Sequence, residues 1–100
     1  MNSLESKYAT YLEEQKLAGL IVDYWYERVK FRLADRTYYT PDFLVQHADD
    51  TLGVHECKGF WEEDARIKIK VAAEQNPAFR FIAVQALPKK AGGGWKTEEF

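Results

Sequence analysis

The sequence predicts an α/β domain, a mixed β-sheet flanked by helices in the order α-β-β-β-α-β. Three observations carry this reading. Apolar residues recur at helical spacing near the N-terminus, aromatic and β-branched residues alternate through much of 22–58, and a charged helix-forming segment precedes an almost continuous apolar run over 79–87. An apolar run of that kind belongs inside a sheet covered on both faces, so the helix before it reads as a crossover between parallel strands.

The elements follow in order. Ser3 can cap a helix in which Leu4, Tyr8, Tyr11 and Leu12 share a face and which Gly19 stops, giving a helix over 4–18. Val29, Phe31 and Leu33 then alternate with Arg28, Lys30 and Arg32, the period of a half-buried strand within 22–33. Ala34-Asp35-Arg36 makes a short connection to a second strand over 37–45, irregular at Pro41. His47-Ala48-Asp49-Asp50 marks a turn, and a third strand runs over 52–58. The stretch 66–71 also alternates, yet it reads as helix. Glu62, Glu63 and Asp64 suit a helix start, Ile67 and Val71 lie one turn apart, Ala72-Ala73-Glu74-Gln75 favour helix and Pro77 stops it. The last strand, 79–87, ends at Pro88. The tail 88–100 has the composition of a flexible linker through Gly94, but Trp95 and Phe100 require burial, so it is expected to dock on the core at 1–87.

Composition narrows the function classes. One hundred residues with 46% apolar content make one domain, and a single cysteine, Cys57, excludes an internal disulfide and a cysteine-cage zinc site. Six Phe, six Tyr and three Trp must supply the packing. The longest apolar stretch, 17–22, is interrupted by Gly19, and Met1-Asn2-Ser3-Leu4-Glu5 has neither a basic cap nor an apolar run behind it. A cytoplasmic protein with no membrane partner is the expectation. A core this small leaves a thin margin of stability, which a homodimer would supplement. The net charge of −2 argues against coating nucleic acid by bulk electrostatics, unless carboxylates converge on divalent cations and leave the rest of the surface free to meet phosphates.

The chemistry-bearing residues are Pro41-Asp42 and Glu56-Cys57-Lys58. On a strand Glu56 and Lys58 point to one face while His55 and Cys57 point to the other. A hairpin through the turn after His47 brings Asp42 beside Glu56, so two carboxylates and an ammonium converge. Glu5, in the first helical turn, is a candidate third carboxylate if that helix crosses the same sheet face. Such a cluster suits Mg²⁺, which takes a few carboxylate oxygens and keeps its waters, and which promotes phosphodiester hydrolysis by polarising a phosphoryl oxygen and acidifying a bound water. Lys58 would position the nucleophile or offset transition-state charge.

Tyr39-Thr40-Pro41-Asp42-Phe43-Leu44-Val45 followed by Glu56-Cys57-Lys58-Gly59-Phe60-Trp61-Glu62 resembles the PD-(D/E)XK nuclease superfamily, and within it the bacteriophage endonuclease I family of Holliday-junction resolvases. Ser3-Leu4-Glu5, Asp64, Arg66 and Gln75-Asn76-Pro77 extend the likeness. The resemblance implies a restriction-endonuclease-like core and an endonuclease dependent on Mg²⁺ or Mn²⁺. Its metal-binding carboxylates would be Glu5, Asp42 and Glu56, with Cys57 as a backbone-carbonyl ligand and Lys58 as the catalytic lysine. It also implies DNA as partner, branched DNA being one candidate form, a homodimer, and a phage or prophage origin. The alternatives are a non-catalytic DNA-binding or assembly module, and a nicking subunit of a transposition or recombination complex.

Other residues have two readings. Arg66, Lys68 and Lys70 either line the cleft and touch DNA phosphates or form an ordinary charged helix face. Arg28, Lys30 and Arg32 form a basic stripe suited to DNA backbone contact, or a charged strand edge. His47 and His55 read as structural, Glu13 and Glu14 as solvated helix surface, and Cys57 as a small buried filler rather than a nucleophile.

Overall fold

Asn2, not Ser3, caps the first helix. In the computed structural model, which covers residues 1–100, the Asn2 side chain accepts the Glu5 N–H at 2.8 Å and the Glu5 carboxylate accepts the Asn2 N–H at 2.9 Å. This reciprocal pair satisfies two donors at the start of α1 (Ser3–Leu17). The helix stops where Gly19 takes φ +75, a backbone region that glycine enters without steric cost. Asn2→Ala is expected to lower stability by about 1 kcal/mol, read as a fall in the urea midpoint at unchanged slope.

Where the sequence predicts one strand within 22–33 and another over 37–45, four shorter ones form: β1 (Ile21–Tyr26), β2 (Phe31–Ala34), β3 (Thr37–Tyr39) and β4 (Phe43–His47). Glu27 adopts a left-handed φ of 47, which turns the chain out of β1, and Pro41 has no N–H to continue a ladder from β3 into β4. The expected basic stripe is lost with the first break. Arg28 and Lys30 lie in the connection, over the rings of Trp25 and Tyr38 respectively, and only Arg32 sits on a strand. β2 and β3 pair as a separate ribbon closed at Asp35-Arg36, with Arg36 at φ 55.

β5 (Leu52–Lys58), α2 (Glu63–Gln75), β6 (Phe79–Ala86) and β7 (Trp95–Glu99) complete the chain. The main sheet is ordered β1-β4-β5-β6-β7. It is mixed: β5 and β6 run parallel, joined by the α2 crossover, and every other pair is antiparallel. Alternation along the central strands builds two layers. Phe43, Val45, Cys57, Ile82 and Val84 pack with Tyr8 and Leu12 of α1, whereas Leu44, Val54, Phe81 and Ala83 pack with Ile69 and Ala72 of α2 and Phe31 and Tyr39 of the ribbon.

α2 forms as expected, but its buried residues are Ile69 and Ala72, while Ile67 is half exposed. The tail is a strand, not a linker. Gly92, Gly93 and Gly94 all take positive φ and turn the chain so that β7 pairs with β6. Trp95 then packs edge-on to Tyr8 at 5.0 Å on the α1 side, and Phe100 joins the α2-side layer. Two bidentate ion pairs, Arg66–Glu98 and Arg80–Glu99, tie β7 to α2 and β6. No helix is long and apolar enough to cross a membrane.

Candidate active site

The site forms where the β4–β5 ladder gives out. Extending the register Phe43↔His55 one step sets Asp42 opposite Glu56, and two steps set Pro41 opposite Cys57. Pro41 can return no N–H to the Cys57 carbonyl. The Cys57 N–H instead donates to Asp42 Oδ2 at 2.8 Å, so a carboxylate replaces the missing strand partner. A backbone N–H points along the plane of its sheet, so the Asp42 carboxylate lies in that plane, between the two layers. The N–H and C=O of a strand residue project to the same side, so the Cys57 carbonyl opens on the same gap.

Alternation turns Glu56 toward the α2 side together with Val54, and Lys58 follows two residues on. Asp42 and Glu56 are both buried, at 8% and 6% exposure, with no lysine or arginine in ion-pair contact. Lys58 is half-buried and makes no ion pair. Glu5 arrives differently from the expectation, because α1 covers the opposite sheet face. It reaches Asp42 across the gap, while its Oε1 also accepts the Asn2 N–H and the Tyr26 hydroxyl at 3.0 Å. Helix capping and membership of the acidic group are thus both realised by one side chain.

The electrostatics follow from burial. Burial first, and then the adjoining Glu56 carboxylate, push Asp42 up to about 8, against the lowering effect of the Cys57 N–H. Asp42 therefore holds a proton near neutral pH. Burial would also raise Glu5, but the Asn2 N–H, the Asp42 carboxyl and the Tyr26 hydroxyl together hold it below the usual range. Burial and the Glu56 charge raise the Tyr39 hydroxyl, and burial followed by the Asp42 charge raises the Cys57 thiol. That thiol lies in the α1-side core, as a filler would.

The Tyr39 hydroxyl adjoins the Glu56 carboxylate, but neither Tyr39 Oη nor Glu56 Oε2 completes a well-formed hydrogen bond, and both atoms are buried. An orphaned buried carboxylate oxygen is costly, and a cation beside it would remove that cost. No three His, Cys, Asp or Glu side chains stand in ready-made ligand geometry. The donor set nevertheless fits Mg²⁺ or Mn²⁺, which take hard oxygen ligands, one or two of them carboxylates, and retain water. Asp42, Glu56 and the Cys57 carbonyl would hold such an ion, with Glu5 across the gap.

Glu56 and Lys58 open into a cleft of about 370 Å³ between the ribbon and the start of α2, walled by Tyr38, Tyr39 and Thr40 on one side and Glu62, Asp64, Ala65 and Lys68 on the other. Of the three helix cations expected to meet DNA, only Lys68 lines this cleft. Residues two apart on a helix lie on nearly opposite sides, so Arg66 and Lys70 face the tail instead. Arg66 forks onto Glu98 and covers the Phe100 ring, and Lys70 lies beside Phe100. Tyr26, Tyr38 and Tyr39 escaped the sequence reading. Tyr39 could have been suspected from its place in the run before Asp42, but nothing local marks Tyr26 as a partner of Glu5. Compared with known proteins, the chain matches no protein-family model, no curated protein and no solved structure.

Proposed function

We propose that this chain is a divalent-metal-dependent DNA endonuclease that hydrolyses phosphodiester bonds, and that β1, β4 and β5 with the α2–β6 crossover form a restriction-endonuclease-like core. The observation that carries the reading is the Asp42–Glu56 pair. Two buried carboxyl groups meet with no lysine or arginine in ion-pair contact and only the proton on Asp42 to relieve their repulsion, one oxygen of Glu56 has no hydrogen-bond partner, and Lys58 on the same strand face opens with Glu56 into the cleft. Stability alone gives no reason for this arrangement, whereas catalytic groups are commonly held in such strained surroundings.

A bound Mg²⁺ would supply Lewis acidity to the phosphoryl oxygen and lower the pKa of its water. Asp42, its Oδ2 oriented by the Cys57 N–H, would hold the ion in its deprotonated form, the proton passing to solvent. Lys58 presents a compact ammonium to the scissile phosphate, where it offsets growing negative charge. Lys68, across the cleft, meets a neighbouring phosphate.

Purified protein is expected to nick supercoiled plasmid in Mg²⁺ or Mn²⁺ and to stop on chelation. Lys58→Ala should slow cleavage by about 10²-fold or more. Preference for a four-way junction over linear duplex would assign a resolvase. The enzyme reading fails if the wild type cuts neither plasmid, single-stranded nor branched DNA in either ion, which would leave a DNA-binding or assembly module.

A further inference from the structure

On the sheet face opposite the acidic centre, His47 at the end of β4 and His55 of β5 bring their Nε2 atoms to 3.3 Å. Two nitrogens bound at the usual zinc distance to one tetrahedral ion stand about 3.3–3.4 Å apart, so the pair already spans one edge of a zinc tetrahedron. We propose that His47 and His55 form a binding site for a divalent transition-metal ion of the zinc class, with water in the remaining positions.

Three further features support it. The space around the two nitrogens is made by Gly53: a Cβ there would lie 2.2 Å from His47 Nε2 and 3.2 Å from His55 Nε2. The second nitrogen of His55 is fixed by the buried Tyr8 hydroxyl at 2.6 Å, the kind of outer partner that orients a metal-binding imidazole and sets its tautomer. The pair also lines a cleft of about 440 Å³ that admits an ion and its waters. Glu99 lines the same cleft, but Arg80 holds its carboxylate at 2.9 and 3.1 Å, so the imidazoles are the protein's ligands and the site is open. Softer nitrogen ligands separate this site from the oxygen-rich centre on the other face, which favours Mg²⁺. On binding, whichever Nε2 carries the proton that bridges the two rings loses it, either to solvent or to Nδ1 of the same ring.

The test is made in Asp42→Asn/Glu56→Gln protein, so that an ion at the acidic centre does not contribute. Co²⁺ titration is expected to give visible absorption bands that saturate at one equivalent and disappear when Zn²⁺ is added. His47→Ala should abolish them. Gly53→Ala, whose methyl would push the His47 ring aside and crowd His55 Nε2, should weaken binding by about tenfold or more while leaving the folded spectrum intact. The proposal is overturned if the parent protein takes up no Co²⁺, or if both variants bind it as the parent does.

Discussion

Asp42→Asn is expected to abolish metal-dependent cleavage and, at the same time, to make the protein more stable above neutral pH. The folded-state pKa of Asp42 is raised well above its unfolded value, so the folded chain holds a proton that the unfolded chain releases. The stabilisation from that proton is complete below pH ~4, shrinks as pH rises, and is gone above pH ~8. Asparagine keeps the shape and the acceptor for the Cys57 N–H without the charge. At pH ~8–9 the variant should therefore be more stable by roughly 2–5 kcal/mol, and its stability should fall less between pH ~5 and ~8. Urea unfolding across that range checks both, and a variant that unfolds more easily at high pH would contradict the assignment. Mg²⁺ should raise the wild-type midpoint at high pH and leave the variant unmoved.

The second large effect is on packing. Phe43 is fully buried one residue after Asp42, with its ring 5.7 Å from Tyr8 and 5.5 Å from Tyr26. Phe43→Ala should cost about 3–5 kcal/mol, a large part of the ~5–15 kcal/mol that holds such a domain together. It also frees Asp42 and Tyr26 together, so activity should fall even in conditions where the variant remains folded. A loss below ~1 kcal/mol by thermal or urea unfolding would show that this ring does not anchor the strand.

The α/β order, the parallel crossover and the Asp42, Glu56 and Lys58 group were legible because each rests on patterns within elements that are neighbours in sequence, joined by one hairpin or one helix. Alternation placed Glu56 with Lys58 and away from His55 wherever the strand went. What the spacing could not show was set by partners distant in sequence. The breaks at Glu27 and Pro41 sit inside runs whose composition favours strand throughout. The role of the tail depends on Arg66 and Arg80, which hold Glu98 and Glu99 from other elements. Arg66, Lys68 and Lys70 are close in sequence, but residues two apart on a helix take nearly opposite sides, so only Lys68 reaches the cleft. The contact between His47 and His55 arises diagonally across a hairpin, over a glycine whose importance is the absence of a side chain.

Pro41 turns the sheet from a wall into a partition with a window. Elsewhere the strands insulate one layer from the other, but at this opening a side chain from α1 meets groups that face α2. A shift of the rear helix along its axis would thus alter the spacing between Glu5 and Asp42 directly, with no need to deform the strands between them.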